Sequence, residues 1–167
     1  MLYLLLGLFV VCFFDYKYGK IPNPSVLLLA LGAVAAAFIK GGVLTISEMI
    51  MNGIIVGMIF FPVFRIGALG AGDVKLLTVC AMYFEGNEVT DFIFITFLAA
   101  AGFAAIRMAV KREFRERLEK LIGYIRNCAL SGRIGLYNEN RKELRKHGVC
   151  MAGPALIGVM CKLGGLF

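Results

Sequence analysis

Six apolar runs leave almost no stretch of the first 110 residues in which a water-facing side could be built. They are Leu2 to Phe14, Val26 to Ile39, Met49 to Phe64, Val74 to Phe84, Phe92 to Val110 and, after a charged interval, Val149 to Phe167. With 60% apolar residues and a mean hydropathy of +0.82, the surrounding solvent to reason in is lipid. The runs are rich in Ala and Leu and do not alternate, which argues against barrel strands and predicts helices. The fold class expected is all-α, a polytopic membrane protein with about six transmembrane helices. Most runs fall short of the ~20 residues that cross a hydrocarbon core. Their flanks must share the crossing, so polar residues at the run ends lie at or inside the membrane boundary. The first run lacks a basic leader and a small-x-small cleavage pattern, and is expected to stay in the mature protein.

Charge sets the orientation. Between Arg107 and His147 lie twelve basic and five acidic residues, a surplus of seven that equals the net charge of the whole chain. By the positive-inside tendency this stretch is cytoplasmic. A six-helix path then puts Lys17, Lys20, Arg65 and the Gly70 to Asp73 loop on the same side, and Glu85, Glu88 and Asp91 on the other. Lys111 to Ile122 interleaves charges with apolar residues at helical spacing, which predicts an amphipathic helix on anionic headgroups. The interleaved glutamates disfavour nucleic acid as a partner. A single domain over 1–167 is expected, with 110–147 a basic cytoplasmic insertion between the fifth and sixth helices.

The residues that could do chemistry are few. Five cysteines, Cys12, Cys80, Cys128, Cys150 and Cys161, are widely spaced without a CxxC pair, so neither a zinc site nor a disulfide framework is indicated; most are expected to fill helix interfaces. One histidine, His147, allows no imidazole cluster and no Ser/His triad. No metal and no cofactor are expected. Of the eleven acids, five fall in the basic stretch and four at the outer loops, which leaves Asp15 and Asp73 at inner helix ends. Ionisable groups inside a membrane are costly and mark function. Two adjacent carboxylates share a proton, so that one can take a proton from water while the other gives one to a carbonyl oxygen. Gly70 and Gly72 suit such a site, through close backbone approach and conformations closed to other residues. A structural reading stands beside this one: Asp73 as a helix N-cap after a glycine-rich turn, and Asp15 as an interfacial carboxylate neutralised by Lys17 or Lys20. Another class of function is also open, in which the two acids bind a cation or proton in a transporter, or the chain is an assembly factor that binds without turnover.

Asp15 followed by Ile21-Pro22-Asn23, and Gly70-Ala71-Gly72-Asp73-Val74-Lys75 running into Leu76-Leu77, resemble the type IV prepilin peptidase family, membrane aspartic proteases of the GxGD type. Met151-Ala152-Gly153-Pro154-Ala155-Leu156-Ile157-Gly158 is similar to the family's proline-containing closing segment. The resemblance implies a multi-pass inner-membrane endopeptidase with its active site facing the cytoplasm. It would remove the basic leader of a prepilin or pseudopilin after a glycine. Asp15 and Asp73 match the catalytic pair; Gly70, Gly72 and Lys75 match the motif of the active-site loop. Pro22, Asn23, Gly153 and Pro154 are expected to shape the substrate site. Lys75, two residues along a helix from Asp73, is expected to face away from it toward lipid, loop or substrate. Larger relatives carry a cytoplasmic domain with paired cysteines and methylate the new amino terminus. This chain opens on its first helix without a CxxC, so peptidase activity alone is expected. Its compact size resembles the forms found with tight-adherence (Flp-type) pili.

Overall fold

The computed structural model describes residues 1–19, 21–111, 119, 122–124, 126–127, 130 and 150–166. Its described elements are all helical: α1 (Leu2–Tyr18), α2 (Asn23–Arg65), α3 (Ala71–Ala81), α4 (Glu88–Lys111) and α5 (Ala152–Leu163). The expected amphipathic helix at Lys111 to Ile122, Cys128 and His147 lie wholly or mostly outside the described residues.

In α1 the buried residues are Leu4, Leu8, Val11 and Asp15, spaced as one helix face, while Leu2, Leu6, Phe9, Val10 and Phe13 are exposed. Asp15 therefore continues the packing stripe into the core. The helix runs one turn past the apolar run from which it was predicted. It closes on Gly19, whose left-handed φ of 59° lets its N–H reach the Asp15 carbonyl at 2.8 Å. The aspartate thus stands within the last turn and not in the connection that follows.

The runs Val26 to Ile39 and Met49 to Phe64 form two arms of α2, separated by a single break at Gly42. A φ of 67° with ψ of −144° is backbone that only glycine adopts without strain. Ala33 and Ala37 of the first arm and Met49 of the second share one cluster with Met82 and Tyr83, so both arms meet the end of α3. The Tyr83 hydroxyl donates to the Leu29 carbonyl at 2.6 Å, and the Asn52 amide donates to the Phe84 carbonyl at 3.0 Å.

Small residues set the helix spacing. A Cβ on Gly32 would overlap the Tyr3 ring, one on Gly7 the Leu29 side chain, one on Gly53 Met82, and one on Gly158 Thr96 and Phe92. Lipid tails are as apolar as leucine, so helices in a bilayer associate through such close packing more than through transfer from water. The order of these pairs makes α1 antiparallel to the first arm of α2, and Gly158 against Phe92 and Thr96, with Lys162 against Glu88, makes α4 antiparallel to α5.

α3 is the centre of the bundle. Leu76, Leu77, Cys80 and Ala81 are fully buried, in one core with Leu4, Leu8, Val56, Phe84, Phe92, Ala152 and Val159. At 11 residues it is about 17 Å long, half a hydrocarbon core. The outside of the bundle is apolar instead: Leu27, Leu28, Leu31, Phe38, Met58, Ile59, Phe61, Phe94, Leu98 and Ile106 are all exposed. Two helices, Asn23–Arg65 and Glu88–Val110, are long and apolar enough to cross a membrane. An apolar exterior around a packed interior fits a membrane protein.

Candidate active site

One end of the bundle gathers residues of α1, α3, α4 and the start of α5. Asp15 comes from the last turn of α1, and Asp73 from the first turn of α3. Cys150 and Ala152 stand at the start of α5, and Arg107 near the end of α4. These groups act on one another electrostatically: Asp15 on Asp73, and both carboxylates, Cys12 and Arg107 on Cys150. The opposite end holds Met1, the Gly42 break and the Lys40–Glu85 ion pair at 3.9 Å, together with an ion pair between Glu88 and Lys162. A cavity of about 480 Å³ between Met1, Ala37, Lys40, Asn52 and Tyr83 belongs to that far end and takes no part in the site.

Asp15 is 7% exposed, and its Oδ2 has no hydrogen-bond partner. Its polar neighbours are the Ala152 backbone N–H and the Cys150 thiol. Ala152 is the first residue of α5, so the carboxylate faces a helix N-terminus, where unpaired N–H groups and the helix dipole favour negative charge. Pro154, buried in the same turn, has no N–H to leave unpaired there. Gly153 beside it has open space where a side chain would stand. Two of the four residues expected to shape the substrate site, Gly153 and Pro154, therefore lie on this turn, and the other two, Pro22 and Asn23, at the start of α2.

Asp73 is not the N-cap of its helix. Gly70 is, and Asp73, at the third helical position, reaches back so that its Oδ2 accepts the Gly70 N–H at 3.2 Å. Of the two purposes read in the sequence, close approach and special conformations, the second does not apply at Gly70. Gly70 has φ −74° and ψ 149°, extended backbone open to any residue. What they supply is space: a Cβ on Gly70 would stand 2.8 Å from Asp73 Oδ2, and one on Gly72 3.3 Å from the Ile21 Cβ. Ile21 thus packs onto the motif helix, and Pro22 after it is the N-cap of α2. Lys75 does turn from Asp73; its Nζ donates to Asn23 Oδ1 at 3.2 Å, tying α3 to the start of α2.

Cys150 is the residue that sequence reasoning set aside. It is exposed, not an interface filler, and its sulfur neighbours Asp15. Partial burial of the thiol, then the Asp15 and Asp73 charges and Cys12, raise its pKa, with Arg107 acting the other way. It therefore stays protonated at neutral pH and can donate.

A bundle whose described elements are all helical, with an apolar exterior and two interacting carboxylates at one end, defines a membrane protein with an acid pair at its helix ends. Its family is narrower. A model of the type IV leader peptidase family matches residues 2–105, and the chain belongs to that family. The match takes in α1 to α3 and most of α4, with both aspartates and the whole glycine motif. The chain is accordingly a protease of the leader-peptidase class. No curated protein and no solved structure matched it.

Proposed function

We propose that the protein is a membrane-embedded aspartic endopeptidase that removes the leader of a type IV prepilin-like protein, with Asp15 and Asp73 as its catalytic pair. The observation that carries this reading is their meeting, from helices far apart in sequence, within range of each other's charge. Two carboxylates so placed hold one proton between them. The ionised member takes a proton from water, the hydroxide formed attacks the scissile carbonyl, and the protonated member gives its proton to the carbonyl oxygen. Collapse of the tetrahedral intermediate returns the pair to its starting state and expels the amine. The two roles are assigned to the pair and not to either residue.

The aspartate end also carries Lys17, Arg65, Lys75 and Arg107, which by the positive-inside tendency turns it to the cytoplasm. A basic leader retained there would present its junction with the hydrophobic segment, after a glycine, to these helix ends. The bundle would be one domain crossing the inner membrane about six times, with 110–147 as its cytoplasmic insertion resting on anionic lipid. The reading extends to peptidase action alone, without methylation of the new amino terminus.

The test is co-expression of a prepilin-like protein from the same genome with wild type, Asp15→Asn or Asp73→Asn. Gel mobility and the new N-terminal residue report cleavage. Wild type should cut after a glycine and neither variant should, with all three present in the membrane. Cleavage by both variants would overturn the assignment.

A further inference from the structure

We propose that the cavity at the end of the bundle away from the aspartates holds one phospholipid with a zwitterionic, amine-bearing headgroup, its acyl chain on the cavity floor and its headgroup at Lys40, Glu48 and Glu85. The proposal does not depend on the catalytic reading.

The cavity, about 480 Å³, is bounded by both arms of α2 and by the residues that follow α3. Its volume falls in the range of small-molecule sites, ~300–1,000 Å³. It exists because α3 ends after 11 residues, so that Met82 to Gly86 turn away where a longer helix would fill the space between the arms. The buried members of its lining are all apolar, among them Ala33, Ala37 and Met49, while its charged members are exposed. It therefore runs from an ionic mouth to an apolar floor.

The floor suits a hydrocarbon chain better than water. Its two polar neighbours are turned on the protein's own backbone: the Tyr83 hydroxyl donates to the Leu29 carbonyl at 2.6 Å, and the Asn52 amide to the Phe84 carbonyl at 3.0 Å. A buried water needs about two to four polar partners, and an acyl chain needs none. Met49 and Met82, unbranched and polarisable, can adapt to a chain of irregular course.

The mouth carries both signs of charge. Lys40 Nζ stands 3.9 Å from Glu85 Oε1, and Glu48 shares the rim. The side chains of the pair are 69% and 72% exposed, and so open an ion pair holds weakly enough to exchange partners. Lys40 then takes the lipid phosphate, and the two glutamates take the ammonium through charge-assisted hydrogen bonds. A headgroup of net negative charge would meet two carboxylates for one lysine, and a quaternary ammonium has no N–H to give.

The test is native mass spectrometry of the full-length protein in detergent, with dioleoyl phosphatidylethanolamine, phosphatidylcholine and phosphatidylglycerol offered in turn. One phosphatidylethanolamine should be retained, with an affinity about two- to fivefold above either other lipid, the scale of an exposed ionic contact. Lys40→Gln/Glu48→Gln/Glu85→Gln should level the three. Ala36→Phe, which brings a ring into the cavity from an exposed position, should remove tight binding of all three while the unfolding midpoint in lipid-free detergent stays that of wild type. Glycerophosphoethanolamine, the same headgroup without chains, should not be retained.

Equal retention of the three lipids by wild type, a preference for another of them, or a preference that survives the triple replacement would overturn the headgroup assignment. Unchanged retention by folded Ala36→Phe would overturn the place, and retention of the chainless headgroup the role of the floor. If Ala36→Phe does not fold, the charge variant, altered only at exposed residues, still decides the proposal.

Discussion

Asp73 Oδ2 lies 3.2 Å from the Gly70 N–H that it accepts, and a methyl group on residue 70 would stand 2.8 Å from the same oxygen. The glycine and the aspartate of the motif are one mechanical unit. The cap bond holds the carboxylate in place only while residue 70 has no side chain.

Gly70→Ala should therefore displace the carboxylate and lower cleavage by about tenfold or more, since small misplacements of a catalytic group are costly. Gly72→Ala meets only the Ile21 side chain, at 3.3 Å, and should cost less. Initial rates of leader removal by the two variants, at equal membrane levels, check the order.

Lys75 and Asn23 should act as a pair. Their bond is exposed, so each of Lys75→Met and Asn23→Ala is expected to slow cleavage only about two- to fivefold, in keeping with ~0.2–1 kcal/mol for exposed contacts. The double variant should be no slower than the worse single one. A double-mutant cycle on kcat/KM reads this directly, and additive losses would give Lys75 a separate role.

Gly158→Val places methyl groups against Thr96 Oγ1 and the Phe92 ring, which lie 2.7 and 3.0 Å from a mere Cβ. Overpacking of this kind costs ~1–3 kcal/mol. A lower unfolding midpoint in detergent is expected, with slower cleavage, because α5 carries the Ala152 N–H that Asp15 faces.

Thr96 is fully buried, and its hydroxyl has no hydrogen-bond partner. Thr96→Val removes an unsatisfied polar group at nearly constant volume, and should stabilise the α4–α5 contact by ~1 kcal/mol. The unfolding midpoint in detergent should rise while cleavage is unchanged.

Much of the site could be read from local sequence. Asp15 and Asp73 were legible because a carboxylate at the end of an apolar run has few inexpensive explanations in lipid. The glycine motif was legible as a pattern, and its physical purpose in part: close approach was, the neighbours that require it were not. Backbone freedom was the natural reading of Gly70, and its ordinary extended φ shows instead that room for Asp73 is what it provides. Which cysteine stands apart from the helix interfaces was not legible: Cys150 is the exposed one among those described, and an isolated cysteine near an apolar run looks like filler until its surroundings are known.

What the sequence by itself determined is what depends on neighbours along the chain and on composition: lipid as the solvent, helices as the fit to Ala- and Leu-rich runs that do not alternate, and two acids in expensive places. Only the tertiary structure decided what depends on contacts between distant elements. It set Asp15 against the N-terminus of α5, joined Lys75 to Asn23, packed Ile21 on Gly72 and brought Cys150 to the carboxylate. Helical period says which face of α1 bears Asp15, but a face becomes a site only when packing chooses what stands opposite it.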